Sequence, residues 1–314
     1  MSQPLVVQRA LHVVIGPTAA GKSAVAMALA EHFNLAIVSA DSRQLYRGFD
    51  IGTAKPTAAD RARVRHFGID VLEPVSRYSA HQWATDAASW METARAEGRE
   101  PLVVGGTGFY IRALSEPLSD APTLDTTRRD ALGRHLATLD ADTLAGWCAR
   151  LDPARSTLGR TQQLRAVETA LLSGVPLSTW HARSTPKPPA FAPIRYLVVD
   201  PGPSLAARIA ARVQSMVAEG WVDEVRTLLA TVPTDAPAWQ ASGYAAMVAH
   251  VRGTCTLSEA MERVTVETRQ YAKRQRTWYR HQLPPASVTL LDSTQPDVLQ
   301  QAHHWWESRD RSTS

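Results

Sequence analysis

"GPTAAGKS", residues 16–23, fits the pattern G-x-x-x-x-G-K-[ST] of a phosphate-binding loop. Its flanks are the ones that pattern needs. "LHVVI" (Leu11–Ile15) is a short apolar run of β-type residues, the length of a buried parallel strand. Residues 23–33, "SAVAMALAEHF", are rich in alanine, methionine and leucine and contain no glycine or proline, so they read as helix. Strand, glycine turn and helix converge backbone N–H groups and a helix N-terminus on one point, which favours linked phosphates. Lys22 would add a point charge there and the Ser23 hydroxyl a magnesium ligand. The loop identifies a phosphate site. It does not distinguish a nucleotide from another diphosphate.

Outward from the loop, residues 36–39, 102–104, 196–199 and 288–291 are further apolar runs of strand length. With helical stretches between the first three strands, they predict an α/β fold: a P-loop parallel sheet with flanking helices. Between residues 116 and 182 the strand signal gives way to helical periodicity, with Asp125 and Asp152–Pro153 as candidate helix starts. "STPKPPAFAP" (184–193) reads as an extended connector back to the sheet. The expected organisation is a core of 1–115 and 190–314, interrupted by a helical insertion over 116–189. A closing helix and a frayed tail are expected after about residue 295.

Composition narrows the classes. A chain of 314 residues, 44% hydrophobic and 20% charged, is ordinary for a globular protein. Its two cysteines, Cys148 and Cys255, cannot build a disulfide framework or a cysteine-rich zinc site. No run approaches a membrane span, and the N-terminus lacks the pattern of an export signal, so a cytoplasmic protein with no membrane partner is expected. The net charge of +4 is concentrated: "RQYAKRQRTWYRH" (269–281) carries five Lys/Arg and no acid, leaving −1 for the rest. That asymmetry points to a polyanion at this segment.

Two more stretches lie at strand ends. "VSADSRQLYRGFDIGTAKPT" (38–57) places Asp41 after the second run, where groups at the carboxyl ends of neighbouring strands share a crevice. A carboxylate there can take a proton from an attacking nucleophile. Asp-Ser after a strand also makes an Asx-turn or helix cap, and composition leaves both readings open. "VVGGTGFYIRAL" (103–114) keeps the backbone bare where a flat ligand can approach, with the Thr107 hydroxyl beside it; a tight turn alone would also explain its glycines.

Taken together, "GPTAAGKS", "DSRQLYRGFDIGTAKP", "GGTGFYIRAL", "SGYAAM" and "TRQYAKRQRTWYR" resemble, in order, the motifs of the tRNA dimethylallyltransferases, also called tRNA isopentenyltransferases. The resemblance spans roughly residues 16–280 and favours the catalytic reading of Asp41. It implies transfer of a dimethylallyl group from dimethylallyl diphosphate to N6 of the adenine immediately 3′ of a tRNA anticodon. The loop Gly16, Pro17, Thr18, Ala19, Ala20, Gly21, Lys22 and Ser23 would then hold the leaving diphosphate, with Mg2+ at Ser23. Asp41 would accept the amine proton, and Thr107 would contact the target adenine. Arg208 and Arg212 match a family helix of which one arginine reaches the diphosphate.

The tRNA anticodon stem-loop would meet Ser42, Arg43 and Gln44 beside Asp41 and Thr107. In the insertion it would meet Arg129 and the run Thr161, Gln162, Gln163, Leu164 and Arg165. Gly243 and Tyr244 match a further RNA segment, and Lys273, Arg274, Gln275, Arg276, Trp278 and Arg280 the basic one. On a helix, Arg269, Lys273, Arg276 and Arg280 share a face, while Tyr271, Trp278 and Tyr279 either pack inward or stack on bases. The target base, stacked in its loop, has to be drawn out to reach Asp41.

The chain departs from the family pattern in places. Gln162 and Ala245 stand where arginines are usual, and an Asn-Asp pair before the insertion's "RAVE" is absent, though Arg160 could compensate. No zinc finger follows Arg280, which suits the bacterial type, acting as a monomer. "HHWWE" (303–307) mimics metal-ligand spacing but reads better as a tail helix. Two alternatives share the loop and Asp41: a small-molecule kinase, and a prenyltransferase of free adenine nucleotides. Neither needs the basic aromatic segment.

Overall fold

The computed structural model describes residues 10–115, 122, 124–183, 191 and 193–308. The first unit comprises Met1–Ser115 and Pro189–Ser314, the second Glu116–Pro188.

In the first unit, β1 (Leu11–Ile15), α1 (Lys22–Phe33), β2 (Leu35–Ala40), α2 (Ala58–Arg63), β3 (Arg65–Phe67), α3 (Ala80–Ala96), β4 (Glu100–Gly105) and α4 (Gly108–Ser115) come first. The second unit holds α5 (Thr126–Ala137), α6 (Ala141–Leu151), α7 (Arg160–Ser173) and α8 (Leu177–Arg183). The first unit resumes with β5 (Ile194–Asp200), α9 (Leu205–Ala218), α10 (Trp221–Thr231), α11 (Tyr244–Val251), α12 (Leu257–Gln282), β6 (Val288–Asp292) and α13 (Val298–Glu307).

The strands form one parallel sheet in the order β3-β2-β4-β1-β5-β6, so the α/β expectation holds. The sequence reading missed β3: it is three residues long with only Phe67 buried, too short for a periodic signal. A second difference matters more. β4 lies between β1 and β2, so Asp41 is not on the strand next to the phosphate loop, and the Thr107 loop comes between them.

Alternation along β1 sorts the two faces. Leu11, Val13 and Ile15 share a core with Trp83 of α3, Tyr110 of α4 and Tyr279 of α12. Val14 packs with Val25 and Leu29 of α1 and Trp305 of α13. The closing helix is therefore present, and "HHWWE" lies in it with Trp305 and Trp306 buried. A third core joins α9 to α12 with Tyr46 and Phe49 of the segment after β2.

The insertion has a small core of its own around Leu136, Leu144, Cys148, Ala166 and Val167. Asp125 caps α5 by accepting the Arg128 N–H at 2.8 Å. Asp152–Pro153 opens only a single 3-10 turn, because the buried Asp152 carboxylate turns to the Ser178 N–H at 3.0 Å. Most of the connector over 184–193 lies outside the described residues. No described helix is long and apolar enough to cross a membrane.

Candidate active site

The phosphate loop runs from β1 into α1, and its shape follows from close packing. A Cβ on Gly16 would sit 2.1 Å from the Val199 carbonyl oxygen of β5, so only glycine fits. Gly21, at φ +97°, begins α1 with no side-chain cap, whereas α2, α3 and α12 each carry a capping box. The first turn of α1 therefore presents its N–H groups without a side-chain cap of its own.

The loop's carbonyls are tied down from several sides. Lys22 Nζ donates to Pro17 O at 2.8 Å, and Tyr279 OH to Gly16 O at 2.8 Å. Ser293 Oγ donates to Ala20 O at 2.7 Å, and Arg208 reaches the same oxygen at 3.3 Å while also holding Ser293. Arg208 is a prop under the loop. Arg212 instead points at the loop's mouth, donating to Thr18 Oγ1 at 3.2 Å. Its charge, with burial as the larger effect, lowers the Lys22 ammonium to about 8, and the Asp41 carboxylate pulls the other way. Lys22, Arg212 and Asp41 thus share one electrostatic neighbourhood across the intervening β4 loop.

Asp41 follows β2 and does make the Asx contact, its Oδ1 accepting the Arg43 N–H at 2.8 Å. The adjoining Ser42 N–H donates to Thr107 Oγ1 at 3.0 Å, and Thr107 N–H to Ala40 O at 3.1 Å. These bonds lock the two strand ends together. Burial and the Asp41 charge push the Tyr271 hydroxyl up to about 12, against the pull of a hydrogen bond with Thr107. Tyr271 therefore belongs with Asp41 and Thr107. Sequence reasoning gave it only a packing or stacking role. The signal that finds it is the spacing of Tyr271, Gln275 and Tyr279, four residues apart on one face of α12.

That face corrects three expectations. The glycines of 105–108 are bare because protein fills the space: a Cβ on Gly106 would meet Gln275 at 2.3 Å, and one on Gly108 would meet Trp278 at 2.6 Å. Gln275, expected among the RNA contacts, is 6% exposed and bonds Thr18 N–H and Gly106 O. Arg276, expected on the free basic face, bonds both Asp200 oxygens and Gly202 O. The exposed cations of this segment are Arg269, Lys273, Arg274 and Arg280.

Other expected RNA residues also serve the fold here. Gly243 and Tyr244 are buried, and the Tyr244 hydroxyl donates to Glu224 at 2.6 Å. Glu224 also accepts the Asp50 and Ile51 N–H groups, anchoring the segment after Asp41. Gln44 bridges Ser39 to the Thr53 and Ala54 carbonyls, while Arg43 is partly buried.

Within the insertion, Gln163 is buried and donates to Ser156 O, and Leu164 packs on the core. Arg129 pairs with Glu168 at 2.9 Å. Thr161, Gln162 and Arg165 are exposed. Arg160, expected to compensate for the arginine missing at 162, is exposed and bonds the Ala137 and Leu139 carbonyls at the end of α5.

No described group of three or more His, Cys, Asp or Glu is arranged to hold a metal ion. The exposed Ser23 hydroxyl suits a magnesium ion that takes its other ligands from phosphate and water.

Comparisons with known proteins agree with this geometry. Residues 44–282 match the family described as IPP transferase, and residues 9–70 the one described as isopentenyl transferase. The tRNA dimethylallyltransferase of Anaeromyxobacter sp. (strain K) is 42% identical over 90% of this chain and 95% of its own length. That of a Cyanothece species is 38% identical, over 92% and 94%. The crystal structure of the tRNA isopentenylpyrophosphate transferase of Bacillus halodurans superposes with a TM-score of 0.67 at 30% identity, covering 96% of this chain and 97% of that one. A match that runs through α12 takes in the segment that neither the kinase nor the free-nucleotide alternative requires, and the chain belongs to the IPP transferase family, the prenyl-transferring tRNA dimethylallyltransferases.

Proposed function

We propose that this protein transfers a dimethylallyl group from dimethylallyl diphosphate to N6 of the adenine immediately 3′ of a tRNA anticodon, releasing diphosphate. The observation that carries the reading is the meeting of two cations, Lys22 and Arg212, with one carboxylate, Asp41, at the carboxyl ends of β1 and β2. An allylic transfer needs that pairing. Breaking the C–O bond leaves its electron pair on the diphosphate, where Lys22, Arg212 and the first-turn amides of α1 would stabilise it. N6 forms the new bond to the allylic carbon, and its proton goes to Asp41.

The Asx bond to Arg43 fixes Asp41 through Oδ1 and leaves Oδ2 to face the amine. Thr107, bonded to Ser42, would position the adenine beside it. Ser23 would hold magnesium, which would add charge stabilisation at the diphosphate. Lys273, Arg274 and Arg280 would meet the RNA backbone, with Gln162 and Arg165 as contacts from the insertion.

The test is incubation with magnesium, labelled dimethylallyl diphosphate and unmodified tRNA, with ATP and AMP as competitors. Label is expected in tRNA, independent of ATP. Asp41→Ala should lower turnover by ~10²–10⁴-fold while tRNA still binds. Label in AMP would overturn the acceptor, and near-normal turnover of the variant would overturn the base.

A further inference from the structure

The geometry points to Gln275 as a positioning residue of the diphosphate site, acting on it from inside helix α12. The inference rests on the proposed donor site and adds a residue to it. One amide spans two loops: Oε1 accepts the Thr18 N–H of the phosphate loop at 2.8 Å, and Nε2 donates to Gly106 O at 2.9 Å. An amide supplies an acceptor and a donor side by side at every pH, which a carboxyl group does only when protonated. One turn further on, Tyr279 OH donates to Gly16 O and approaches Gly106 O at 3.4 Å. The loop after β1 and the loop after β4 are thus pinned to each other by one helix face.

Each loop carries one side of the reaction. Thr18 begins the phosphate cradle and takes a bond from Arg212. Gly106 adjoins Thr107, whose hydroxyl accepts from Ser42 next to Asp41. Gln275 is 6% exposed, which removes it from direct contact with RNA or donor. Its influence passes through Thr18 and Gly106. A cradle that loses this tie keeps its sequence but not its pre-set shape, and a preorganised site loses affinity when its support is removed.

The experiment measures binding of isopentyl diphosphate, a saturated donor analogue that cannot react, together with tRNA affinity. Gln275→Leu removes both bonds and should raise the analogue Kd by ~10-fold, with tRNA affinity unchanged. Gln275→Glu gives a sharper readout. An ionised carboxylate turns a lone pair toward Gly106 O, whereas a protonated one restores an O–H donor there and keeps a carbonyl for Thr18. Its Kd relative to wild type should therefore improve as the pH is lowered.

A loss of tRNA affinity with analogue binding intact would overturn the inference in favour of RNA contact. So would a Gln275→Glu defect that is independent of pH. Because analogue binding is measured directly, with and without tRNA, these outcomes stay readable if wild type places no label in tRNA; that result would instead overturn the proposed function.

Discussion

The two glycine-bearing loops at the strand ends look alike in sequence and are unlike in use. In the loop after β1, Gly21 has φ +97° and a Cβ there would find its nearest neighbour, Arg208, at 3.5 Å. At Gly21 glycine is needed for backbone shape rather than for room, although Gly16 in the same loop is hemmed in by Val199 of β5. Around the loop after β4, a Cβ on Gly105 at the strand's end would fall 2.2 Å from Ala40 O, and one on Gly108 at the start of α4 2.6 Å from the Trp278 ring. There glycine is needed because a neighbouring strand and α12 occupy the space. A glycine run in sequence reports only that something comes close. Whether it is a ligand or the protein itself is decided in three dimensions.

Alanine substitutions test that difference most directly. Gly108→Ala forces a methyl group against a rigid indole and should cost ~1–3 kcal/mol of stability in denaturant titration, with isopentyl diphosphate binding preserved. Gly21→Ala should weaken binding of the analogue, because the strained φ distorts the turn that aims the first amides of α1. If Gly108→Ala left stability unchanged, the packing role of the second loop would be broken.

A smaller effect probes the phosphate loop through its lysine. The Lys22 ammonium is lowered to about 8 from its ordinary value of 10.5, mainly through burial and then Arg212. Below that pH it is charged and ready for an anion. Above it the free loop is neutral, and binding a diphosphate, which raises the lysine pKa, must take up a proton. Affinity for isopentyl diphosphate should therefore hold below about pH 8 and fall by up to ~10-fold per pH unit above it. Calorimetry in buffers of different ionisation enthalpy would register the proton uptake. A flat profile would mean that Lys22 is not the group meeting the anion.

What the sequence could convey follows the same line. The phosphate loop was legible because all its determinants lie within about twenty residues: a strand, a turn and a helix whose order is itself the signal. The long strands were legible from apolar runs, while β3 offered only Phe67 to the core. The insertion of β4 between β1 and β2 depends on pairing across more than sixty residues of chain, which no local pattern carries. Tyr244 looked like an RNA residue because its motif matched, but its hydroxyl is committed to Glu224, twenty residues away. Gln275 looked like one for the same reason, and its partners are 257 and 169 residues distant.

Arg276 shows the limit of helical periodicity, and its neighbour Arg280 provides the control. Both fall on the basic face that spacing predicts. Only one of them meets an acid, since Asp200 at the end of β5 comes up beneath Arg276 and accepts from its Nε and Nη2. A guanidinium so held keeps its counter-charge when RNA arrives and has no condensed counterion on the RNA to displace. Arg276→Ala should thus leave the salt dependence of tRNA binding unchanged and cost at most about 1 kcal/mol of stability, as expected for a partly exposed pair. Arg280→Ala, from an exposed site, should reduce the slope of log K against log salt by ~0.7–0.9. The smallest change in the series is also the most discriminating. Equal slopes for the two variants would return Arg276 to the RNA face and make its bond to Asp200 one that tRNA breaks.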